Sequence, residues 1–216
     1  MSKNLNLKLE DKNTLHLKVC NVLRKAILQG DFEPGQRLIQ SELADSLGVS
    51  RMPIRESLRK LESEGLVKLE PHRGAIVKAM NVEDIEEIYH LRACLEKLAV
   101  EQSVPHLTAG DISELKRLME EMEGTEDPEV FVQANISYHH LLIKRCNWNR
   151  LLSFIETLWN GFPQQTPTLL PGQMDLSNQE HQQILDAVNE KDESKAAVLV
   201  SEHIKRTGEA LVNSLG

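Results

Sequence analysis

Apolar positions recur with helical spacing along most of this chain. Leu15, Val19, Leu23 and Ile27 repeat at four-residue steps up to Gly30 and predict a first helix of about four turns. Leu43, Ala44 and Leu47 predict a short second helix capped by Ser41. Gly48-Val49 then makes a tight turn, and Ser50 caps the next helix. In that third helix Ile54, Leu58 and Leu61 form a buried stripe, and Pro53 falls in the first turn, where a missing N–H costs little. Gly65 ends the helix. The pattern then shortens to runs at 66–70 and 75–78, which predict two strands joined by a turn at Pro71-His72-Arg73-Gly74.

The remainder reads as six more helices. Asn81 caps the first, with Glu83 and Asp84 in its opening turn. It spans about 82–103 and carries Ile85, Ile88, Leu91, Leu95, Leu98 and Ala99 on its apolar side. A second follows Thr108 with Ile112, Leu115, Leu118, Met119 and Met122. A third opens on Asp127-Pro128 and continues to about Cys146, and a fourth holds Trp148, Leu151, Leu152, Ile155, Leu158 and Trp159. Residues 161–176, with three prolines and two glycines, predict a long loop. Ser177-Asn178-Gln179-Glu180 matches a capping box that opens a fifth helix through Ile184, Leu185 and Val188. Residues 189–192 interrupt, and a sixth helix runs to near the end. No repeat, low-complexity tract or strand pattern appears outside the wing. The expected fold is mainly α. A flexible arm at 1–12 precedes a winged helix-turn-helix at 13–79 with a two-stranded wing, and 80–216 form an all-α antiparallel helical bundle.

A helix-turn-helix followed by a wing is built to put one helix into a DNA major groove. Arg51, Arg55 and Arg59 lie four apart on a face away from the apolar stripe, with Arg51 and Arg55 at the end that reaches bases and phosphates. An ordinary helical hairpin with surface arginines has the same spacing; the wing with its Arg-Gly tip favours DNA. The formal net charge of −8 looks wrong for that partner until it is divided. Residues 1–79 hold 14 Lys and Arg against 10 Asp and Glu, whereas 80–216 hold 11 against 23. Two modules with different partners follow, one facing a polyanion. Cys20, Cys94 and Cys146 are odd in number and widely spaced, which predicts buried free thiols in a reducing compartment. With no signal segment and no 18-residue apolar run, the expectation is a soluble cytoplasmic protein.

The bundle holds the other candidate chemistry. Asn135 and His139 stand four apart, so both project from one helix face about 6 Å apart. His181 and His203 lie on two later helices, and three imidazoles from three helices can meet only in the bundle interior. Three neutral imidazoles suit zinc, nickel or a similar divalent ion and leave positions open; Asn135 would add a weak, uncharged amide oxygen. Eight histidines also produce such sets by chance, and each ring reads equally well as a polar neighbour of the core. His140 should face elsewhere as a bystander. Arg92, four residues before Glu96, is either half of a surface ion pair or an inward cation for an anionic effector.

Three segments carry a family resemblance: AILQGDFEPGQRL, SELADSLGVSRMPIRESLRKLESEGLV and EPHRGAIV. They resemble the GntR family of bacterial transcription regulators, in the FadR-like branch with an all-helical FCD ligand-binding domain, and the likeness covers about residues 15–212. It implies DNA contacts from Arg51 and Arg55, from Arg37 after the Pro-Gly turn, and from the wing tip at Gly74. Ser50, Arg59 and Arg73 join that set, as does Met52, which stands where the family usually has Thr. NISYHHLLIKRCNWNRLL is similar to the third FCD helix, whose Asp and His four apart bind metal, and EHQQILDAV and SEHIKRTGEAL to segments that each donate one His. The resemblance therefore implies a divalent ion (Zn, Ni or Mn) on His139, His181 and His203, with Asn135 in place of the common Asp. It places Arg92, in LRACLEKLAVE, and Asn147 on the effector side. The implied protein is a homodimeric, ligand-responsive regulator, by default a repressor, that binds a palindromic DNA operator and responds to a small carboxylate. Two alternatives stand beside it. One is a metal-free regulator that binds a long-chain acyl thioester. The other is a metal-dependent hydrolase tethered to DNA, which lacks a well-spaced general base.

Overall fold

The computed structural model describes residues 13–70, 74–162 and 172–215. The expected arm at 1–12, the wing-turn residues Pro71, His72 and Arg73, and most of the expected long loop lie outside the described residues. The chain divides into two compact units, Met1–Ala79 and Met80–Gly216, each with its own apolar core.

The first unit contains α1 (Asn13–Leu28), β1 (Arg37–Leu38), α2 (Gln40–Leu47), α3 (Arg51–Ser63), β2 (Val67–Glu70) and β3 (Gly74–Val77). Val19, Cys20 and Leu23 of α1 pack with Ile54, Leu58 and Leu61 of α3, the last three fully buried. A bidentate pair from the Arg24 guanidinium to the Glu64 carboxylate, at 2.8 and 2.7 Å, joins α1 to the end of α3. Gly48 adopts φ 64°, and its N–H reaches the carbonyls of Ala44 and Asp45, which ends α2 and turns the chain into α3. Ser50 holds the N-cap position of α3, although its side chain makes no capping bond. Ser41 does not cap α2: the helix opens two residues earlier, with Ile39 at the cap.

The sheet has three strands where two were expected. Its order is β1-β3-β2, antiparallel throughout, with Arg37 opposite Ile76 and Leu38 opposite Ala75, and β2 opposite β3 from Val67↔Val77 to Glu70↔Gly74. A strand of two residues is too short to show alternation, so no period-2 pattern marks β1.

The second unit contains α4 (Val82–Ser103), a 3-10 turn (Val104–His106), α5 (Ala109–Glu123), α6 (Pro128–Ile143), α7 (Asn149–Asn160), α8 (Gln173–Asn189) and α9 (Glu193–Leu215). Capping boxes pair Asn81 with Asp84 and Thr108 with Asp111, and the Asp127 carboxylate accepts from the Glu129 N–H. α9 is the principal packing partner of α4, and α5 packs on α6 and α8. Tyr138, Phe131, Met122, Ile155, Ile184 and Ile204 lie in the core, each essentially without exposure.

Three expectations are corrected here. Five of the six residues on the expected apolar side of α4 face the core, Ile85 and Ala99 buried and Ile88, Leu95 and Leu98 packed partly buried against it, but Leu91 is 43 % exposed, and Tyr89, Ala93, Glu96, Val100 and Ser103 also turn inward. α9 approaches α4 closely at Tyr89, where a Cβ at Gly208 would lie 2.6 Å from Cβ and Cγ of that residue. α8 opens at Gln173, after Gly172 in the left-handed region, so Ser177 is a buried interior residue and not a cap, and residues 173–176 of the expected loop are helical. Cys94 is exposed, whereas Cys20 and Cys146 are buried. Among the described residues no helix is long and apolar enough to cross a membrane.

Candidate functional site

One face of α6 carries Asn135, Tyr138, His139 and Leu142 inward, α8 supplies the fully buried His181, and α9 supplies His203. The three imidazoles meet, with one ring nitrogen from each within 4.8 Å of the others. Nε2 of His139 lies 3.3 Å from Nε2 of His181, and the ring centroids are 4.6 to 5.3 Å apart. Burial, then the proximity of the His203 ring, pushes His139 and His181 well below the usual imidazole range. Neutral imidazole is the form that offers a lone pair to a metal.

Two buried atoms at this cluster, Asn135 Oδ1 and His181 Nδ1, have no hydrogen-bond partner. Such orphans are rare in folded proteins, and imidazole nitrogens with an amide oxygen are donor types that suit a divalent ion. The residues present therefore fit a metal. Asn135, His139 and His203 line a cavity of about 30 Å³ together with Tyr89, Arg92 and Thr207. That volume holds about one water.

Arg92 joins both of its sequence readings. Its Nε donates to Glu96 Oε1 at 2.8 Å, the i, i+4 pair, but the pair is interior: the Arg92 side chain is 12 % exposed and that of Glu96 1 %. The same guanidinium lies 5.2 Å from the Tyr89 ring centroid. Burial opposes its charge, and Glu96 and Tyr89 outweigh burial and raise its pKa above the ordinary arginine value. Glu96 also accepts from the Trp159 indole N–H at 2.8 Å, and its second oxygen is 3.8 Å from His139 Nδ1. His140 stays outside the three-ring cluster, as expected, though its ring packs on Trp159 with centroids 4.2 Å apart and lines the cavity. Asn147 is exposed on the connection between α6 and α7 and does not line the cavity, so the structure does not bring it to Arg92.

Glu180 is the residue that sequence reasoning missed, and Glu96, expected in a surface pair, is buried. Glu180, on α8, faces Nδ1 of His203 on α9 at 2.7 Å. Arg206 grips both carboxylate oxygens through Nε and Nη2, and donates from Nη1 to Gln173. Burial pushes the Glu180 carboxyl up, but the bonds from His203 and Arg206 outweigh it and hold the group below the usual carboxylate range.

In the first unit, packing the apolar stripe of α3 inward leaves its opposite face open. Ser50, Arg51 and Met52 are exposed, Met52 by 66 %, and the side chains of Arg55 and Arg59 by 52 % and 59 %. Arg55 and Arg59 lie 3.6 and 3.4 Å from Glu56, loose surface pairs that hold neither in place. Arg37 is exposed on β1, and Gly74 opens β3 with φ 85°. A Cβ at Gly74 would sit 3.4 Å from the Leu38 carbonyl and 4.0 Å from Arg37 Nε, so Arg37 and the wing tip are neighbours. Arg73 lies outside the described residues.

The sequence matches bacterial regulatory proteins of the gntR family over residues 15–77 and the FCD domain over residues 87–206. It is 32% identical to the HTH-type transcriptional regulator YdhC of Bacillus subtilis, over 96% of each protein. It is 33% identical to McbR of Escherichia coli over 68% of this chain and 67% of that one, and 30% identical to the gluconate operon transcriptional repressor of Bacillus subtilis over 69% and 61%. Among solved structures, E. coli McbR/YncC matches with a TM-score of 0.76 at 28% identity, covering 94% of this chain and 98% of that one. A GntR regulator from a Rhodococcus species matches at 0.69 and 25%, covering 93% and 98%. A helix-turn-helix unit carrying the first family match and a helical bundle carrying the second make this chain a transcriptional regulator that belongs to the bacterial gntR family and bears an FCD domain.

Proposed function

We propose that this regulator binds a palindromic operator as a homodimer and that a small organic acid, held at a divalent metal centre in the FCD domain, changes its operator affinity. The observation that carries the effector half is the meeting of three buried imidazoles, two of which, His139 and His203, line a cavity together with Arg92 and Asn135, whose amide oxygen has no partner. His139, His181, His203 and Asn135 would hold the ion. Bound there, it would act as a Lewis acid toward a carboxylate oxygen. All four donors are neutral, so none offsets its charge, and an anionic ligand is the chemistry that does. Arg92 offers the same ligand a guanidinium fork. The cavity has room for about one water, so an acid is admitted only when lining side chains move. Binding then favours one packing of the bundle over another, which is what a ligand must do to shift a two-state equilibrium.

On the DNA side, Arg51, Met52 and Arg55 at the open N-terminal end of α3 are assigned to the major groove. Ser50, Arg59 and Arg37 are assigned to phosphates, and Gly74 with Arg73 to the wing contact. Repression is the mode in the gluconate operon relative, and we carry it here as part of the proposal. Hydrolysis is disfavoured: Glu96 and Glu180, the carboxylates nearest the histidines, are bonded to Arg92 and Arg206, and neither is free to accept a proton from water.

Two measurements test the reading. Elemental analysis of protein purified without chelator or a histidine tag should find close to one zinc, nickel or manganese per chain, and His181→Ala should lose it while keeping its helical circular dichroism. Full metal content in that variant, or none in the wild type after incubation with excess divalent ions, refutes the centre. In a gel-shift titration on a selected operator, Arg55→Ala should cost about 1–3 kcal/mol of specific binding. An unchanged affinity removes Arg55 from the interface.

A further inference from the structure

We infer that Glu180 is the positioning residue of the metal centre, fixing His203 in the tautomer that leaves Nε2 free to ligate. The inference rests on the metal reading above and adds a residue to it. An imidazole offers its lone pair from one nitrogen only when the proton sits on the other, and the hydrogen bond made by that other nitrogen decides which. A carboxylate only accepts, so Glu180 Oε2 at 2.7 Å from His203 Nδ1 requires Nδ1–H and leaves Nε2 bare. The length is that of a charge-assisted bond.

The carboxylate is itself held. Arg206, three residues after His203 on α9, donates to both Glu180 oxygens, so the group cannot rotate away. Gln173, in the first turn of α8, accepts from the same guanidinium. α8 thus contributes a ligand at His181 and, one residue earlier, the group that orients a ligand on the neighbouring helix. The other two rings lack this arrangement: His139 Nδ1 is 3.8 Å from Glu96, too long for a hydrogen bond, and His181 Nδ1 has no partner. His203 is therefore the ring whose ligation depends on an outer residue. Carboxylate partners of metal-binding histidines also raise the basicity of the ligand, and losing one typically weakens metal binding 10–100-fold.

The competing account is that Glu180 and Arg206 merely tie α8 to α9. Long-range 1H–15N correlation of the histidine rings in metal-free wild-type protein separates the two without any variant. His203 is expected in the Nδ1–H form; an Nε2–H ring overturns the inference. Zinc affinity is then measured by competition with a chromophoric chelator for wild type, Glu180→Ala and Glu180→Gln. Glu180→Ala should bind zinc about 10–100-fold more weakly and lose the tautomer preference. Glu180→Gln, which keeps an acceptor opposite Nδ1, should retain the tautomer and recover part of the affinity. Wild-type affinity in Glu180→Ala overturns the inference alone. A wild-type protein that takes up no zinc overturns the metal centre, and the role of Glu180 in ligation falls with it.

Discussion

Replacing Glu96 with alanine is the sharpest test of how the cavity is built. Glu96 is 1 % exposed and accepts from both Arg92 and Trp159, each at 2.8 Å. Its loss leaves the Arg92 guanidinium, only 12 % exposed, without its ion partner and takes one acceptor from the indole N–H. Removing one member of a buried ion pair costs about 3–5 kcal/mol. Residual solvent at Arg92 lowers that, so about 2–4 kcal/mol is expected for Glu96→Ala. The double variant Arg92→Met, Glu96→Met should behave differently, because apolar groups of similar volume in place of both charges are often neutral or stabilising. Its stability should lie within about 1 kcal/mol of wild type. Urea unfolding followed by tryptophan fluorescence suits the measurement, since both tryptophans, Trp148 and Trp159, belong to the second unit. A Glu96→Ala midpoint indistinguishable from wild type, at equal slope, would refute the buried-pair reasoning. So would a double variant weaker than both singles.

Two further outcomes follow from the packing. For Gly208→Ala, helix propensity alone predicts a gain of roughly 1 kcal/mol, but the new methyl group meets the Tyr89 Cβ, and overpacking costs about 1–3 kcal/mol. A lower urea midpoint is expected, and a raised one would show that α4 and α9 are not in contact there. Bonds from Arg145, Thr108 and Lys144 hold the Asp111 carboxyl well below the usual carboxylate range. Its folded pKa is depressed, so its stabilisation is full above the unfolded value of about 4 and declines as pH falls below it. Asp111→Asn should therefore trail wild type at pH 7, with the gap narrowing from pH 5 toward pH 3 in paired denaturation curves; a constant gap would refute the assignment.

Much of the bundle was legible because helix termini write themselves locally. The Asn81, Thr108 and Asp127 caps needed only nearby residues, and α4 ends where its pattern does. The i, i+4 spacing of Asn135 and His139 likewise puts both on one face of α6. What escaped the sequence depends on contacts distant in the chain. Glu96 and Glu180 look like the solvated acids that decorate amphipathic helices, and only Trp159, His203 and Arg206, brought in by other elements, give them their partners. The apolar side of α4 misled at one position, Leu91, which is 43 % exposed, while Tyr89, outside the leucine spacing, makes the close contact with Gly208 of α9. Ser177 resembled a cap because the capping pattern is short, and a buried serine inside a helix satisfies the same letters.

The order in which the cluster's rings appear along the chain has a consequence for biosynthesis. His139, His181 and His203 sit on α6, α8 and α9, and α9 is also the main partner of α4. While α4 to α8 leave the ribosome, the inward face of α4, with Arg92 and Glu96, waits for the helix that covers it. Contacts of such large sequence separation form late and slowly. No nascent chain shorter than one that exposes α9 owns all three imidazoles, so the metal centre proposed above could not be completed during early synthesis. Metal acquisition and closure of the bundle core would then be a single late event, and a ribosome-stalled chain ending before His203 would emerge both open and metal-free.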